Sequence, residues 1–194
     1  MQHNAICVSD FSKPETFIKK QSRLNLVTVG SLVKKKNHCF LIPVVKELVA
    51  RGVDCELHIL GEGHLRKNIE KSIQKHNLQN HIFLHGNTRV QEFYWSADFY
   101  LHPALYEPFG LVLIEAMAAG LPVISLDGKG NRDIIKQGKN GFILDKKVKA
   151  FADVIVQIYN NKKLYNIMQK ECIDTANSFD IKQYVEQLIQ LYKN

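Results

Sequence analysis

Two glutamates, Glu107 and Glu115, stand eight positions apart in Glu107-Pro108-Phe109-Gly110-Leu111-Val112-Leu113-Ile114-Glu115-Ala116-Met117-Ala118-Ala119-Gly120. The neighbours of Glu115 are all apolar, and residues 110–119 read as a buried helix. A buried carboxylate is costly unless it is paired or hydrogen-bonded. Glu115 is therefore expected to bind either a ligand hydroxyl or an internal partner such as a backbone N–H. Glu107 precedes the helix, on a loop leaving a strand. Gly110 lets backbone N–H groups face a cleft at the helix start, where they favour an anion. A carboxylate, a glycine and a helix N-terminus together suit a ligand with hydroxyls and phosphates, the description of a sugar nucleotide.

Three other loops invite the same question. Gly30-Ser31-Leu32-Val33-Lys34-Lys35-Lys36-Asn37 sets a glycine, a hydroxyl and three lysines where a helix is about to begin. It suits a phosphate, or is a plain exposed basic loop. It has neither the GxxxxGK[ST] order of a P-loop nor the GxGxxG of a dinucleotide site. Gly61-Glu62-Gly63 reads as a tight turn. Gly128-Lys129-Gly130-Asn131-Arg132-Asp133 is a glycine-rich entry to a helix, with Asn131 or Asp133 as a cap.

The elements that position these loops follow from apolar spacing. After a polar lead-in over residues 1–23, strands are expected at 25–30, 55–61, 81–86, 98–103, 123–126 and 141–144. Helices are expected at 37–51, 63–77, 89–96, 110–119 and, more weakly, 131–137. Three helical segments should follow Lys147, the last beginning after Ser178-Phe179-Asp180. Strand and helix alternate throughout, and the strands are apolar rather than alternating in pattern. That pattern implies an α/β fold, a Rossmann-like parallel sheet with helices on both faces. Such sheets bind ligands beyond the carboxyl ends of their strands, so the loops above are where a ligand belongs.

Composition narrows the classes further. The 194 residues suit one domain, 45 % apolar and 23 % charged, which excludes a disordered chain. Lys and Arg number 26 against 19 Asp and Glu, a net charge of +7. The lysines fall in small groups (34–36, 146–147, 162–163), with no arginine-rich arm or aromatic-and-basic ladder, so no nucleic acid is expected as a partner. No apolar run is long enough to span a membrane, and the opening lacks the order of a signal peptide. Cys7, Cys39, Cys55 and Cys172 stand far apart, without zinc spacing, and read as reduced thiols.

The stretch 105–124, LYEPFGLVLIEAMAAGLPVI, resembles the signature of the donor-binding, carboxyl-terminal half of retaining glycosyltransferases of family 4, which have the GT-B fold. Its two carboxylates, separated by seven residues, are Glu107 and Glu115. VGSLVKKKN (29–37), LGEGHLR (60–66), FLHG (83–86), ADFYLHPALYE (97–107), DGKGNRDII (127–135) and NGFIL (140–144) match further family segments in the family's order. The resemblance covers about residues 24–180.

The resemblance implies a set of roles. Lys36 would hold the donor diphosphate, beside Gly30 and Ser31. The N–H groups near Phe109, Gly110 and Leu111 would hold the distal phosphate and sugar. Glu107, the implied catalytic residue, would contact donor sugar hydroxyls, and Glu115 the ribose hydroxyls. Backbone around Asn87 and Thr88 would meet the base. The donor would be a nucleotide-sugar, UDP before GDP, and no metal or other cofactor is implied. The acceptor would be a glycan or a lipid-linked sugar, met through an amino-terminal domain or partner subunit.

The chain departs from the family in three ways. Ser31 replaces an arginine that serves as a second phosphate ligand, leaving Lys34, Lys35 or Arg132 to take that part. Asp133 replaces a longer glutamate. The acceptor half is missing, so residues 1–23 read as a connector and 181–194, with Tyr184, Leu188 and Leu191, as a helix over the missing half's edge. The expected protein is cytoplasmic, at most peripheral to the inner membrane face, and weakly active or inactive alone. The alternative is a nucleotide-sugar-binding module without catalysis.

Overall fold

The computed structural model describes residues 5–19 and 23–193. Six strands form one sheet: β1 (Leu24–Val29), β2 (Cys55–Leu60), β3 (Ile82–Gly86), β4 (Phe99–His102), β5 (Val123–Leu126) and β6 (Gly141–Leu144). Their order is β3-β2-β1-β4-β5-β6, and every pairing is parallel. Leu26 of β1 stands opposite both Leu57 and Phe99, and Val123 of β5 opposite both Tyr100 and Gly141.

Alternate residues serve the two faces of the sheet. Leu24, Leu26, Phe99, Leu101, Ile124 and Leu126 join a core with α1 (Leu41–Ala50), α2 (Arg66–Lys75) and α5 (Val148–Tyr159). Val27, Tyr100 and Val123 join a second core with α3 (Gln91–Ser96), α4 (Leu111–Ala118) and α6 (Lys162–Asn177). Both faces are covered, so the strands need no polar side, and their apolar runs follow from that. α2 shows the complementary rule: Ile69 and Ile73 are buried on one stripe, while Lys67, Lys71 and Lys75 are exposed. α7 (Ile181–Lys193) ends the chain.

The chain builds outward from β1 to β3, crosses back to β4, and builds outward again to β6. The connections leaving β1 and β4 therefore diverge, opening a crevice at the carboxyl ends of these neighbours.

Several expectations need correction. The helix expected from residue 37 begins at Leu41, after two 3-10 turns, Lys34–Lys36 and His38–Phe40, joined at Asn37 with φ of 55°. Pro43 fits there because a first-turn residue has no intrahelical N–H bond to lose. The helix expected at 131–137 is only a three-residue turn, Asn131–Asp133. Asn131 is not a cap: its side-chain amide donates to Ser125 Oγ at 2.7 Å and to the Leu126 carbonyl at 2.9 Å. Asn140 Oδ1 then accepts from the Lys136 N–H at 2.7 Å, so side chains take bonds a helix would use. α4 is not buried on all sides. Leu111 is exposed, and Val112 and Glu115 are half-buried.

The described part of the opening segment is packed on the body. Ile6 and Val8 are buried, the Ile6 N–H donates to the Phe179 carbonyl at 3.1 Å, and the Ile181 N–H donates back to Ile6 at 2.8 Å. Trp95 Nε1 donates to the Phe11 carbonyl at 2.8 Å. Of the expected connector, residues 1–4 and 20–22 lie outside the described residues, as do the side chains of Leu188 and Leu191. All four cysteines are free, with Cys55 and Cys172 buried.

Candidate functional site

Three loops stack at the crevice. The loop after β1 is tied to the loop after β4 by the Leu105 N–H donating to the Lys35 carbonyl at 2.9 Å and by Asn37 Nδ2 donating to the Pro103 carbonyl at 3.1 Å. The loop after β5 backs them, its Gly128 carbonyl accepting from the Glu107 N–H at 3.0 Å. A side chain at Gly130 would place its Cβ 2.0 Å from the Glu107 carbonyl oxygen, so glycine is needed for this close approach.

This stacking brings Lys36 to Glu107. The ammonium donates to Oε2 of the carboxylate, with side-chain exposures of 18 % and 9 %. The same oxygen lies 3.5 Å from Nε2 of His102, at the end of β4. His38 Nε2 lies 3.2 Å from the Gly30 carbonyl oxygen. Burial, with the Lys36 charge added, pushes His38 down to about 4 and His102 to about 3. Both are neutral imidazoles at pH 7, beside a buried ion pair.

Glu115 sits apart from that pair, with a different partner. Its Oε2 accepts from the Tyr94 hydroxyl of α3 at 3.2 Å, so its internal partner is a side-chain hydroxyl rather than a backbone N–H. Burial raises the Glu115 carboxyl above the usual range, and the Tyr94 bond opposes part of that shift. Tyr100, behind it, donates to the Val29 carbonyl at 3.3 Å.

A cleft of about 190 Å³ opens beyond β1, β2 and β3. Gly30, Ser31, Asn87 and Thr88 line it together, with Gly61, Gly86 and Val90. Gly110 precedes α4 with φ of +64°, a conformation that favours glycine. Phe109 is 64 % exposed beside it, and Leu111 opens α4. Lys34 and Lys35 are exposed. Arg132 is held by Asp127, Nε to Oδ1 at 3.2 Å, and Asp133 is exposed. Among the described residues, no group of three or more His, Cys, Asp or Glu is arranged to hold a metal ion. None of their helices is long and apolar enough to cross a membrane.

His38, His102 and Tyr94 belong to this site without having been singled out in the sequence. A signal existed for His102, a polar residue closing the apolar strand Phe99-Tyr100-Leu101, next to the crevice. Tyr94 gave none, since an aromatic in a short helix reads as core.

A parallel α/β sheet with its loops gathered at the reversal of strand order, and helices on both faces, defines a Rossmann-like domain of the GT-B type. The glycosyl transferases group 1 family profile matches residues 10–176, and the chain belongs to that family. It is 32 % identical over 165 residues to a poly(ribitol-phosphate) alpha-N-acetylglucosaminyltransferase of Staphylococcus aureus (strain COL), covering 83 % of this chain and 34 % of the relative. It is 30 % identical over 154 residues to the GtfA subunit of a UDP-N-acetylglucosamine–peptide N-acetylglucosaminyltransferase of Streptococcus agalactiae, covering 75 % and 30 %. The crystal structure of the pneumococcal O-GlcNAc transferase GtfA with UDP and GlcNAc superposes with a TM-score of 0.80 at 26 % identity, covering 98 % of this chain and 38 % of that one. The chain thus spans about a third of the length of these relatives. A carboxyl-terminal domain of a group 1 glycosyl transferase from Francisella tularensis shares the fold over 99 % of its own length, at 19 % identity and a TM-score of 0.80.

Proposed function

We propose that the chain is the donor-binding half of a retaining, family 4 glycosyltransferase of the hexosyltransferase type. It holds a nucleotide-sugar, UDP before GDP, for transfer to a glycan or lipid-linked acceptor in polysaccharide assembly. The observation that carries this reading is the buried Lys36–Glu107 pair beside the cleft lined by Gly30, Ser31, Asn87 and Thr88. Lys36 meets the diphosphate, and the N–H groups of Phe109, Gly110 and Leu111 at the start of α4 meet the distal phosphate and sugar. Glu107 takes sugar hydroxyls, Glu115 takes ribose hydroxyls, and the backbone at Asn87 and Thr88 takes the base. An ammonium and a helix N-terminus stabilise a leaving diphosphate without a metal. UDP is favoured because the relatives' names carry it. Residues 24–180 form the donor domain, 1–23 the connector and 181–194 a helix that packs on the acceptor half. The complete enzyme works in the cytoplasm, peripheral to the inner membrane face.

A second reading, a nucleotide-sugar-binding module without catalysis, is favoured by Ser31 and by Arg132 being engaged with Asp127 rather than free to replace the family arginine. Calorimetric titration with UDP, GDP and ADP tests the binding both readings share. One nucleotide should bind saturably. Glu115→Ala should weaken it by about 1–3 kcal/mol, the cost of unpaired ligand hydroxyls. Lys36→Ala should weaken the diphosphate but not the nucleoside. Loss of affinity for both alike removes Lys36 from the phosphate site, and unchanged affinity in Glu115→Ala makes Glu115 structural. Transfer by the chain once it is joined to an acceptor half separates the enzyme from the inactive module.

A further inference from the structure

Lys36 is required in two places by the donor-site reading, on which this inference rests. In the free chain its ammonium is the counter-ion of Glu107, a carboxylate with only 9 % of its side chain exposed. A nucleoside diphosphate in the crevice draws the same ammonium to its phosphates. Glu107 would then be left charged, enclosed and without its partner, which strongly opposes binding.

His102 supplies the missing partner. It is 1 % exposed, ends β4, and its ring lies nearly parallel to that of Tyr100 with centroids 5.9 Å apart. Its Nε2 lies 3.5 Å from the Glu107 oxygen that Lys36 occupies, and has no hydrogen-bond partner. An orphaned buried nitrogen is uncommon and needs a reason. We propose that His102 is a positioning residue that takes over Glu107 when a nucleoside diphosphate takes Lys36. The tautomer with its proton on Nε2 donates to Oε2, since a carboxylate only accepts. A shift of a few tenths of an ångström closes 3.5 Å to bonding distance. The carboxylate stays oriented toward the sugar, and the lysine is released without leaving a bare charge. A leucine at this position would fill the space but offer no proton.

The test is a double-mutant cycle on the affinity of the full chain for UDP, with GDP measured in parallel. In the wild-type background, H102L should weaken diphosphate binding about tenfold, the worth of a hydrogen bond to a charged group. H102Q, whose amide nitrogen reaches the region of Nε2, should stay near the wild-type affinity. In an E107Q background there is no charge to leave bare, so H102L should then cost nothing. Equal losses in both backgrounds, or no loss in either, would overturn the role of His102 while leaving the donor site standing. A wild-type chain that binds neither UDP nor GDP overturns the donor-site reading and this inference with it. If H102L fails to fold, H102N completes the cycle. Its amide stops short of Nε2, so it should behave as H102L is expected to, and H102N matching H102Q overturns the proposal.

Discussion

His38 and His102 at the crevice are held neutral by burial, and folding stability must register that. Burial depresses His38 to about 4 and His102 to about 3, against an ordinary 6.5. Between those values and 6.5 the unfolded chain takes up protons that the folded chain refuses, so stability falls as pH drops below 6.5. His58 and His85 add to the same trend, both being lowered by burial. Glu115 opposes it, because its raised carboxyl takes up a proton in the folded state first. His38→Gln keeps an amide for the Gly30 carbonyl but cannot titrate. Denaturant melts of this variant should show a loss between pH 7 and 5 smaller by about 2 kcal/mol. An unchanged slope would mean that burial does not hold His38 neutral in the folded chain. At this scale the sequence was only partly legible. An acidic residue in an apolar helix asks for a partner, and Glu115 has one in Tyr94. The Lys36–Glu107 pair joins residues 71 positions apart, and nothing in either local pattern announces it. Residue type and position put each in a candidate loop and the family resemblance gave each a role, but neither joined the two.

Elements transmit this arrangement through backbone contacts, and one glycine tests how rigidly. Gly130 has ordinary φ of −87°, so its Cβ would not strain its own backbone. The added methyl would instead meet the Glu107 carbonyl oxygen at 2.0 Å, and neither partner is a flexible side-chain end. Gly130→Ala must therefore push the loop after β4 away from the loop after β5. An overpacking cost of about 1–3 kcal/mol in stability is expected, with reduced affinity for the diphosphate ligand as the loop that carries Glu107 and leads into α4 is displaced from the crevice. Chemical denaturation and nucleotide titration of the same variant check this, and full stability with full affinity would show the three loops to be uncoupled. The six strands were legible because each is a short, mainly apolar run, four of them closed by glycine or proline, and burial on both faces removes competing patterns. The turn at Asn131–Asp133 was not. Its residues carry a helix-like spacing, but Asn131 and Asn140 spend their side chains on Ser125, Leu126 and Lys136, which propensity cannot foresee. The buried histidines followed the same logic, their roles being fixed by neighbours on other strands and loops.

At the scale of the molecule, the apolar surface is distributed in a way that bears on how a donor half would meet an acceptor half. Leu105, Tyr106, Phe109 and Leu111 are exposed on the loop after β4 and at the start of α4, around the crevice. On α7, Ile181, Val185 and Ile189 fall at four-residue spacing and are 38 %, 44 % and 47 % exposed. Residues so spaced share one face of a helix, and this face has no apolar cover among the described residues. The chain spans about a third of its relatives, and a donor held far from its acceptor gains nothing from proximity. Nucleotide binding and sugar transfer should therefore separate. With an amino-terminal domain supplied in trans or by fusion, transfer from the nucleotide-sugar should appear, where the chain alone gives little or none. Val185→Asp puts a charge on the exposed row of α7, away from the crevice, so it should leave the affinity for UDP unchanged. In the assembled pair that charge must be desolvated, and transfer should fall at least about tenfold, matching the loss of one well-packed anchor. Assembly by light scattering and transfer by release of UDP would be followed together. Transfer that survives Val185→Asp assigns the α7 face to something other than the acceptor half, and vigorous transfer by the chain alone would show that the donor half needs no partner.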